Sequence, residues 1–379
     1  MSYIALARKY RPNNFHELIG QDVLVQTISN AIAQNRIHHA FLLTGIRGVG
    51  KTTTARIIAK NLNCSTGYTI NPCESCPNCV SIANGSHPDV IEFDAASNTG
   101  IEDIKSIILS TLYTPTLGRK KVFIIDEIHM LSTKAFNALL KTLEEPPENV
   151  VFIFATTESR KIPITILSRC QKFFLKTLTK QEIFTQLSKI AIQEGYTFEE
   201  KAINAIAEKA GGSMRDGISI LDQAILNTLE TQNITLQSIK EMLKIPTEEE
   251  SLAIFKSITS GNVELMLNQI TNLIRLGVEE ISVIEDIINL TAEQIKKETI
   301  NKPEFGVPNL IKLYQVLKQG REEVKLAENK SIALEILFIK VITSWKMPSP
   351  IEIIEALKND EISSLKSIFK NSTIIDVQD

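Results

Sequence analysis

The sequence predicts an α/β core on a five-stranded parallel sheet, followed by two blocks that contain only helices. Short apolar, β-branched runs alternate with amphipathic helical patterns through the first half of the chain. This alternation is expected where helices connect parallel strands and cover both faces of the sheet. From Lys180 onward the pattern is helical only. The chain has 379 residues, enough for two or three domains that each bury a core.

Composition excludes several classes of protein. The chain is 43% hydrophobic, with 41 Lys and Arg against 44 Asp and Glu, which argues against disorder or a fibrous protein. No apolar run reaches the roughly 18 residues of a membrane-spanning helix. The N-terminal segment has no apolar stretch typical of a secretory signal, so we expect a soluble, cytoplasmic protein. A net charge of −3 leaves no basic arm, so contact with nucleic acid would need specifically placed residues.

The elements follow from these patterns. We expect strands at Ala40–Thr44, Val90–Asp94, Val122–Asp126, Val151–Ala155 and Gln171–Leu175. Helices are expected at Val23–Gln34, Lys51–Leu62, Ile101–Leu112 and Ser132–Leu143. The predicted domains are an α/β domain over residues 1–178, a small helical domain over 179–243 and a second helical domain over 248–370. Glycine and proline then predict helix ends at Gly261-Asn262, Gly277, 303–308 and 348–350.

A phosphate-binding loop follows the first strand. The segment fits G-x-x-x-x-G-K-[ST], in which backbone N–H groups cradle phosphates at a helix N-terminus. Lys51 would reach the β- and γ-phosphates, and the Thr52 hydroxyl would bind Mg²⁺. The alternative is a glycine-rich turn with a surface lysine. The predicted nucleotide-binding residues of the loop are Gly45, Ile46, Arg47, Gly48, Val49, Gly50, Lys51, Thr52 and Thr53.

An acidic pair ends the third predicted strand. Asp126 at this position would coordinate Mg²⁺, and Glu127 would orient or deprotonate an attacking water. The alternative is a polar strand end with Glu127 as a helix cap. A water-activating glutamate favours nucleotide hydrolysis over phosphoryl transfer to a small molecule.

Four of the five cysteines lie within 16 residues, with the spacing C-x8-C-x2-C-x2-C. This spacing favours a structural zinc site with four thiolates and no open coordination position. An iron–sulfur cluster, disulfides and free thiols are the alternatives. The cluster follows the helix of the phosphate-binding loop and indicates a zinc knuckle inserted at 64–79. Its predicted ligands are Cys64, Cys73, Cys76 and Cys79, whereas Cys170 stands apart.

The complete set of motifs resembles the gamma/tau clamp-loader ATPase family of bacterial DNA polymerase III, in the AAA+ superfamily. The resemblance extends over essentially the whole chain. It is densest at Ala7–Pro12, Leu18–Gln21, the phosphate-binding loop, the four cysteines, Asp126–Leu131, Phe136–Pro147, Ala155–Thr157, Ile166–Cys170 and Gly211–Asp216.

The resemblance implies roles that the residues alone do not establish. Tyr10, Arg11, Pro12, Ile19 and Gly20 would line an adenine pocket that favours ATP over GTP. Thr157 and Arg215 would sense the γ-phosphate, Arg215 from a helical lid. Arg169 would be an arginine finger acting on ATP held by a neighbouring subunit. By pattern alone, Arg169 and Arg215 would instead be surface ion-pair residues.

The resemblance also implies partners. The last block would be a collar through which the chain joins a hetero-pentameric ring with related subunits, including copies of itself. The ring would use ATP to open a sliding clamp and load it onto primer–template DNA. Backbone phosphates would meet helix N-termini near Asn98-Thr99 and Ser132-Thr133. The ring would serve a holoenzyme with DNA-directed DNA polymerase (nucleotidyltransferase) activity. Ending at Asp379, the chain is expected to lack the further C-terminal domains of the family's long form.

Three other functions compete with this one. Asp126–His129 also reads D-E-x-H, as in one class of helicases, but no second α/β core follows residue 180. A non-hydrolysing adaptor would not need Lys51, Thr52 and Glu127. A small-molecule kinase would need an acceptor pocket, and no motif indicates one.

Overall fold

The computed structural model describes residues 4–97, 100–300 and 305–346. The chain forms two compact units, Met1–Ile239 and Lys240–Asp379. Within the described ranges, no helix is both long and apolar enough to cross a membrane. The predicted boundaries at residues 178, 243 and 248 stay predictions, because the α/β core and most of the small helical block fall within the first unit.

The first unit contains a five-stranded parallel sheet in the order β2-β3-β4-β1-β5. Its strands are β1 (Ala40–Thr44), β2 (Val90–Asp94), β3 (Lys121–Asp126), β4 (Val150–Thr156) and β5 (Gln171–Phe174). The predicted parallel sheet is confirmed, and each predicted strand agrees with the structure to within one residue at either end. β4 lies between β1 and β3, so the phosphate-binding strand and the acidic strand are not neighbours.

Helices cover both faces of this sheet. The helices of this α/β part are α1 (Leu6–Lys9), α2 (Asp22–Ala33), α3 (Lys51–Asn63), α4 (Pro77–Asn84), α5 (Ile101–Thr111), α6 (Thr133–Glu144) and α7 (Ile164–Leu167), with 3-10 turns at Phe15–Glu17, Ile128–Met130 and Ser159–Lys161. Alternate residues of β1 separate two cores. Phe41 and Leu43 pack with residues of α2 and α3, whereas Ala40 and Leu42 pack with residues of α5 and α6. This alternation explains the nearly continuous apolar strands in the sequence.

The small helical block contains α8 (Lys180–Gln193), α9 (Glu200–Lys209) and α10 (Met214–Asn227) in the first unit, and α11 (Leu236–Leu243), which extends from the first unit into the second. A capping box starts α8, since Thr179 and Glu182 each bond the other's backbone N–H. The prediction of helices alone after Lys180 is wrong at two places. Thr197–Phe198 (β6) and Asn233–Ile234 (β7) form a two-residue parallel pair. Each strand is too short to produce an alternating pattern in the sequence.

Asp89 holds the loop before β3 through a buried carboxylate. The residue is 1% exposed. Its Oδ1 accepts the Thr116 N–H at 2.8 Å, and its Oδ2 accepts those of Leu117 and Gly118 at 2.7 and 2.8 Å. Burial alone would raise the pKa of Asp89, but the three N–H donors outweigh it and lower the pKa. The ionised carboxylate is therefore part of the folded structure.

We expect Asp89→Asn to destabilise the chain by about 2 kcal/mol at neutral pH, because the amide has one acceptor oxygen where the loop needs two. The folded-state pKa lies below the unfolded value, so this stabilisation is complete above about pH 4 and is lost as pH falls through the folded pKa. Urea unfolding across this range measures it. The exposed Glu230→Gln is the control, and an equal loss in both variants would contradict the prediction.

Within the described ranges 240–300 and 305–346, the regular secondary structure of the second unit consists of helices joined by short turns. Its helices after α11 are α12 (Glu248–Ser260), α13 (Val263–Arg275), α14 (Glu280–Ile300), α15 (Val307–Leu326) and α16 (Lys330–Lys346). The helix ends predicted at Gly261-Asn262 and Gly277 are confirmed: Gly261 caps α12 at φ 71°, Asn262 starts α13, and Gly277 follows α13 at φ 83°. The predicted domain 248–370 includes residues 301–304 and 347–370, which lie outside the described residues, as do the predicted ends at Pro303 and 348–350.

The core of the second unit joins all five of these helices. Ile258, Ile284, Leu317 and Phe338 are among its fully buried members. α15 and α16 approach closely at Gly320, where an added Cβ would lie 2.0 Å from Leu337 Cδ1. A glycine at this position therefore permits the packing of the two helices.

Candidate nucleotide-binding site and cysteine cluster

The phosphate-binding loop joins the end of β1 to the start of α3. Gly48 has a φ of 75°, and a Cβ there would lie 2.0 Å from the Ser213 hydroxyl oxygen. Gly50 caps α3 in the left-handed region, with a φ of 105°. Any side chain at Gly48 would displace the small helical block from the loop. The glycines therefore serve both the backbone conformation and this close approach.

Lys51 points back into the loop from the first turn of α3. It is 5% exposed, and its Nζ donates to the carbonyl oxygens of Gly45 and Ile46, each at 3.0 Å. Burial lowers the pKa of Lys51, while Glu127 and Asp126 act in the opposite direction. The ammonium is thus held inside the loop, where a bound phosphate would complete its coordination.

Thr52 and Asp126 meet across the site. The Thr52 hydroxyl donates to Asp126 Oδ2 at 2.7 Å. Adjacent oxygens around an octahedral Mg²⁺ with ligands at about 2.1 Å lie about 3.0 Å apart. The pair therefore fits two neighbouring positions of one Mg²⁺. Asp126 Oδ1 accepts the Glu127 N–H at 2.9 Å, which fixes the carboxylate at the end of β3.

Glu127 lies between the phosphate-binding loop and the end of β4. Its backbone has a φ of 46°, which a non-glycine residue rarely adopts. Glu127 Oε1 is 3.9 Å from Lys51 Nζ, and Oε2 accepts hydrogen bonds from the Thr157 N–H and hydroxyl at 3.0 and 3.1 Å. The His129 Nδ1 is 3.3 Å from the same Oε2. The structure thus joins the predicted water-activating glutamate to the predicted sensor threonine.

The small helical block reaches the loop through the start of α10. Ser213 is 2% exposed and caps this helix by accepting the Asp216 N–H at 3.2 Å. The Arg215 N–H donates to the Gly48 carbonyl at 3.4 Å. Arg215 is itself exposed and lines the cavity described next. Backbone and capping contacts at the start of α10, and not only the Arg215 side chain, therefore set the distance between the small helical block and the phosphate-binding loop.

A cavity of about 650 Å³ lies over the loop. Its volume is within the range of about 300–1,000 Å³ that is usual for small-molecule sites. The cavity brings together Lys51, Thr52, Asp126, Glu127 and Arg215. Four of the five predicted adenine-pocket residues form part of its wall, namely Tyr10, Arg11, Pro12 and Ile19, whereas Gly20 is not among the described residues that line it.

The N-terminal segment also binds the small helical block. The Tyr10 hydroxyl donates to Glu194, which Lys9 Nζ also contacts at 2.7 Å. Burial and the Glu194 carboxylate raise the pKa of Tyr10 to about 12. The Leu6 N–H donates to Asp222 at 3.0 Å. One short segment therefore connects the cavity wall with α8 and α10.

Arg169 lies elsewhere. Among the described residues, those lining the cavity include neither Arg169 nor Thr157. Arg169 Nη2 pairs with Glu144 at 2.5 Å, and Nη1 donates to the Thr165 carbonyl at 2.6 Å. Its side chain is 30% exposed. The neighbouring Cys170 has a pKa of about 12, raised by burial, so its thiol stays protonated.

The four clustered cysteines converge as predicted. Their Sγ atoms all lie within 4.8 Å of one another. Sulfurs around a tetrahedral zinc with Zn–S bonds of about 2.3 Å lie about 3.8 Å apart, so the cluster fits this ion after a small contraction. The N–H groups of Cys73, Cys76 and Cys79 each donate to a cluster sulfur at 3.4 Å. The arrangement is consistent with a structural zinc site.

The thiols of this cluster have unequal acidities. Burial alone would raise the pKa of Cys76, but hydrogen bonds from Ser65 and Cys79 lower it to about 5. Similar donors from Cys73 and Thr66 lower the pKa of Cys64, against its burial. Burial raises the pKa of Cys79. A cation among them would favour the thiolate form of all four.

The sequence did not single out four residues of the site. His129 contacts Glu127, Ser213 contacts Gly48, Glu194 binds Tyr10, and Glu144 binds Arg169. His129 and Glu144 lie in Asp126–Leu131 and Phe136–Pro147, two segments in which the resemblance is dense, and this was the available signal. Ser213 lies in Gly211–Asp216, but Glu194 had no signal, because its contact is set by the packing of α8.

This chain has the features of a P-loop ATPase of the AAA+ class. They are a strand, β4, between the phosphate-binding strand β1 and the acidic strand β3, together with the phosphate-binding loop, the acidic pair and a helical lid. The chain is 39% identical over 367 residues to DNA polymerase III subunit gamma of Buchnera aphidicola subsp. Schizaphis graminum, which covers 91% of this chain and all of that protein. This chain therefore belongs to the gamma/tau family of DNA polymerase III clamp-loader subunits.

Other comparisons agree with the family. Residues 20–179 match a model described as DNA polymerase III, delta subunit. Residues 182–228 match the ATPase lid domain of the DNA polymerase III clamp loader subunit, and 300–357 match domain III of subunits gamma and tau. DNA polymerase III subunit tau of Escherichia coli K12 is 38% identical over 368 residues, which are 92% of this chain and 57% of that protein. The chain thus spans a gamma relative completely and little more than half of a tau relative.

Among solved structures, the RuvB Holliday junction branch migration motor of Thermotoga maritima is similar to 71% of this chain and 86% of that one. The TM-score is 0.48 and the sequence identity 22%.

Proposed function

We propose that this chain is an ATP-driven clamp-loader subunit that opens a ring-shaped sliding clamp and places it on primed DNA. The observation that carries the proposal is the cavity in which Lys51, Thr52, Asp126, Glu127 and Arg215 meet, in a chain of the gamma/tau family. A triphosphate bound on this loop would have its γ-phosphate near Asp126 and Glu127. Hydrolysis would require a water beside that γ-phosphate.

Each residue then has a role in hydrolysis. Lys51 and the loop N–H groups would bind the β- and γ-phosphates, and Thr52 with Asp126 would hold Mg²⁺, which neutralises phosphate charge when bound. Glu127 would orient and deprotonate the attacking water, with Thr157 and His129 fixing its carboxylate. Arg215 would reach the γ-phosphate from the lid. Tyr10, Arg11, Pro12 and Ile19 would surround the base.

Arg169 would act on ATP held by the neighbouring subunit. Its place outside its own chain's cavity supports this assignment. Supplied in trans, a cation at the γ-phosphate stabilises the charge of the transition state and makes hydrolysis depend on assembly.

The helical second unit would form the collar of a hetero-pentameric ring that includes further copies of this chain. Exposed isoleucines on α16, Ile332, Ile336 and Ile339, support a role in assembly, since their spacing places them on one helix face. In the ring, the N-terminus of α6 at Ser132-Thr133 would contact DNA phosphates without sequence preference. The other predicted contact, Asn98-Thr99, lies outside the described residues.

We assign the ATPase to this chain. DNA-directed DNA polymerase activity, and the nucleotidyltransferase and transferase terms attached to it, would belong to the holoenzyme as a whole. The complex would work in the cytoplasm.

We also infer that Cys64, Cys73, Cys76 and Cys79 bind one structural Zn²⁺. We expect elemental analysis of the purified chain to find about one zinc per chain and no visible-light absorption from iron–sulfur. Cys76→Ser should lose the metal, since an alcohol is a poor substitute for a thiolate ligand, while Cys170→Ser should keep it. Iron in the protein, or zinc retained by Cys76→Ser, would contradict this inference.

The function is tested by steady-state ATP hydrolysis with the ring partners, with and without sliding clamp and primed DNA. We expect strong stimulation when clamp and primer junction are present together. Hydrolysis that is indifferent to both would contradict the loader function. Stimulation by unprimed single strands with strand separation would instead indicate the helicase that D-E-x-H also permits.

A further inference from the structure

One segment of the chain forms the adenine side of the cavity with both of its ends. Tyr10, Arg11 and Pro12 line the cavity at the start of this segment, and Leu18 and Ile19 line it at the end. The intervening residues, 13–16, are not among the lining residues within the described part of the chain. The position of residues 13–16 therefore determines the positions of the two parts of the cavity wall, 10–12 and 18–19, that they connect.

The middle of the segment is bound to the cysteine knuckle. Asn14 Nδ2 donates to Glu74 Oε1 at 2.7 Å, and His16 Nε2 lies 2.8 Å from Asn71 Oδ1. These contacts span 60 and 55 residues of sequence. Glu74 itself lies between the ligands Cys73 and Cys76, so the knuckle reaches the wall from within its own ligand loop.

A third contact comes from α3. Lys60 is 3% exposed, and its Nζ donates to Asn13 Oδ1 at 2.8 Å and to the Asn13 carbonyl at 3.3 Å. Burial lowers the pKa of Lys60, and Glu74 acts in the opposite direction. The same helix starts at Lys51 in the phosphate-binding loop and has Cys64 as its C-terminal cap.

The contacts at Asn14 continue towards the cavity. Asn14 Oδ1 accepts the Glu17 N–H at 3.1 Å and caps the 3-10 turn Phe15–Glu17. The Asn13 N–H donates to Glu17 Oε2 at 2.7 Å. The turn leads directly into Leu18 and Ile19. An anchor at Asn14 therefore orients the residues that face the nucleotide.

We propose that the metal-loaded cysteine knuckle holds the adenine-side wall of the nucleotide cavity, so that loss of the metal weakens ATP binding. Residues 65–76 form no helix or strand in the structure. Once four thiols no longer share an ion, little in the backbone hydrogen bonding of this loop keeps Asn71 and Glu74 in place. The contacts to Asn14 and His16 would then be lost, and ordering the wall would cost binding free energy. The inference depends on ATP binding in this cavity, as proposed above.

The test is a double-mutant cycle on the full chain with zinc bound. The variants are Asn14→Ala, Glu74→Ala and both together, and the measured quantity is the Kd for a fluorescent ATP analogue. We expect each single change to raise the Kd about threefold to tenfold, the range for one lost hydrogen bond. The double variant should resemble Asn14→Ala alone, because Asn14→Ala already removes the contact to Glu74 as well as its own cap on the 3-10 turn. Asn84→Ala, an exposed asparagine on α4, is the matched control and should not change the Kd.

Two further measurements separate this effect from general damage. Zinc content should be unchanged in Glu74→Ala, and its amide hydrogens at 10–19 should exchange faster than in the parent. Removing zinc with a chelator should raise the Kd at least as much as Glu74→Ala does, and should leave the Glu74→Ala change without further effect.

The outcomes also separate this inference from the proposed function. If the zinc-loaded parent does not bind the analogue, the assignment of the cavity itself fails. If the parent binds it but Glu74→Ala and zinc removal leave the Kd unchanged, the knuckle does not hold the wall and only this inference is overturned. Strictly additive effects of the two single changes would also overturn it.

Discussion

Lys51→Ala is expected to abolish nucleotide binding by this chain. The ammonium is buried in the loop, where it donates to two carbonyl oxygens, and Glu127 Oε1 lies 3.9 Å from it. Its removal would leave the β- and γ-phosphates facing carbonyl oxygens and a carboxylate. Losing the charge-assisted hydrogen bonds between this ammonium and the phosphates should raise the Kd about 100-fold or more. Titration with a fluorescent ATP analogue in the presence of Mg²⁺ measures it.

The fold should tolerate this substitution. The two hydrogen bonds that Lys51 donates go to Gly45 and Ile46 in the same loop, so the substitution breaks neither a helix nor a strand contact of the fold. We therefore expect an unchanged Tm without nucleotide, and the loss of the Tm increase that ATP produces in the parent. Lys105→Ala, which removes a half-exposed lysine on α5, is the matched control. Parent-like ATP affinity in Lys51→Ala would show that the loop is not the phosphate site.

Arg169→Ala is expected to leave ATP binding intact and to slow hydrolysis by the assembled ring. Arg169 lies outside its own cavity, so its removal takes no contact from the nucleotide of the same chain. In the ring its guanidinium would reach the γ-phosphate next door, and arginine fingers of this kind contribute on the order of 1,000-fold to kcat. The measurement is kcat of the ring stimulated by clamp and primed DNA, beside the Kd of the isolated chain.

The contacts of Arg169 define its control. Its ion pair with Glu144 is at the surface, with Glu144 52% exposed, so breaking it should cost little stability. Arg160→Ala removes an exposed arginine close in sequence and should leave kcat unchanged. If Arg169→Ala removes ATP binding in the isolated chain, or if both variants slow hydrolysis equally, Arg169 does not act in trans.

Much of the site was predictable because its signals are local. The strand, loop and helix around Lys51 form one continuous stretch, and the backbone conformation that cradles phosphate requires glycine at defined spacings. The four cysteines are equally local, and their convergence within 4.8 Å confirms the predicted cluster. Each predicted strand is correct to within one residue, since short β-branched apolar runs bounded by polar residues are typical of buried strands.

Short elements and single contacts were less predictable. The β6–β7 pair has two residues in each strand, too few for a periodic pattern, and it forms because α8 to α11 bring Thr197 beside Asn233. The Glu144 partner of Arg169 and the Glu194 partner of Tyr10 lie 25 and 184 residues away in sequence. No spacing rule relates such residues, because their distance depends on how helices pack.

The sequence by itself determined the strands, the phosphate-binding loop, the acidic pair and the cysteine cluster of this protein. Each depends on hydrogen bonds, backbone conformations or ligands within a few residues of one another. Only the tertiary structure decided that β4 separates β1 from β3, that Ser213 lies against Gly48, and that Asn14 binds Glu74. These contacts arise from the burial of apolar surface between whole elements, which is non-directional and therefore leaves no short pattern in the chain.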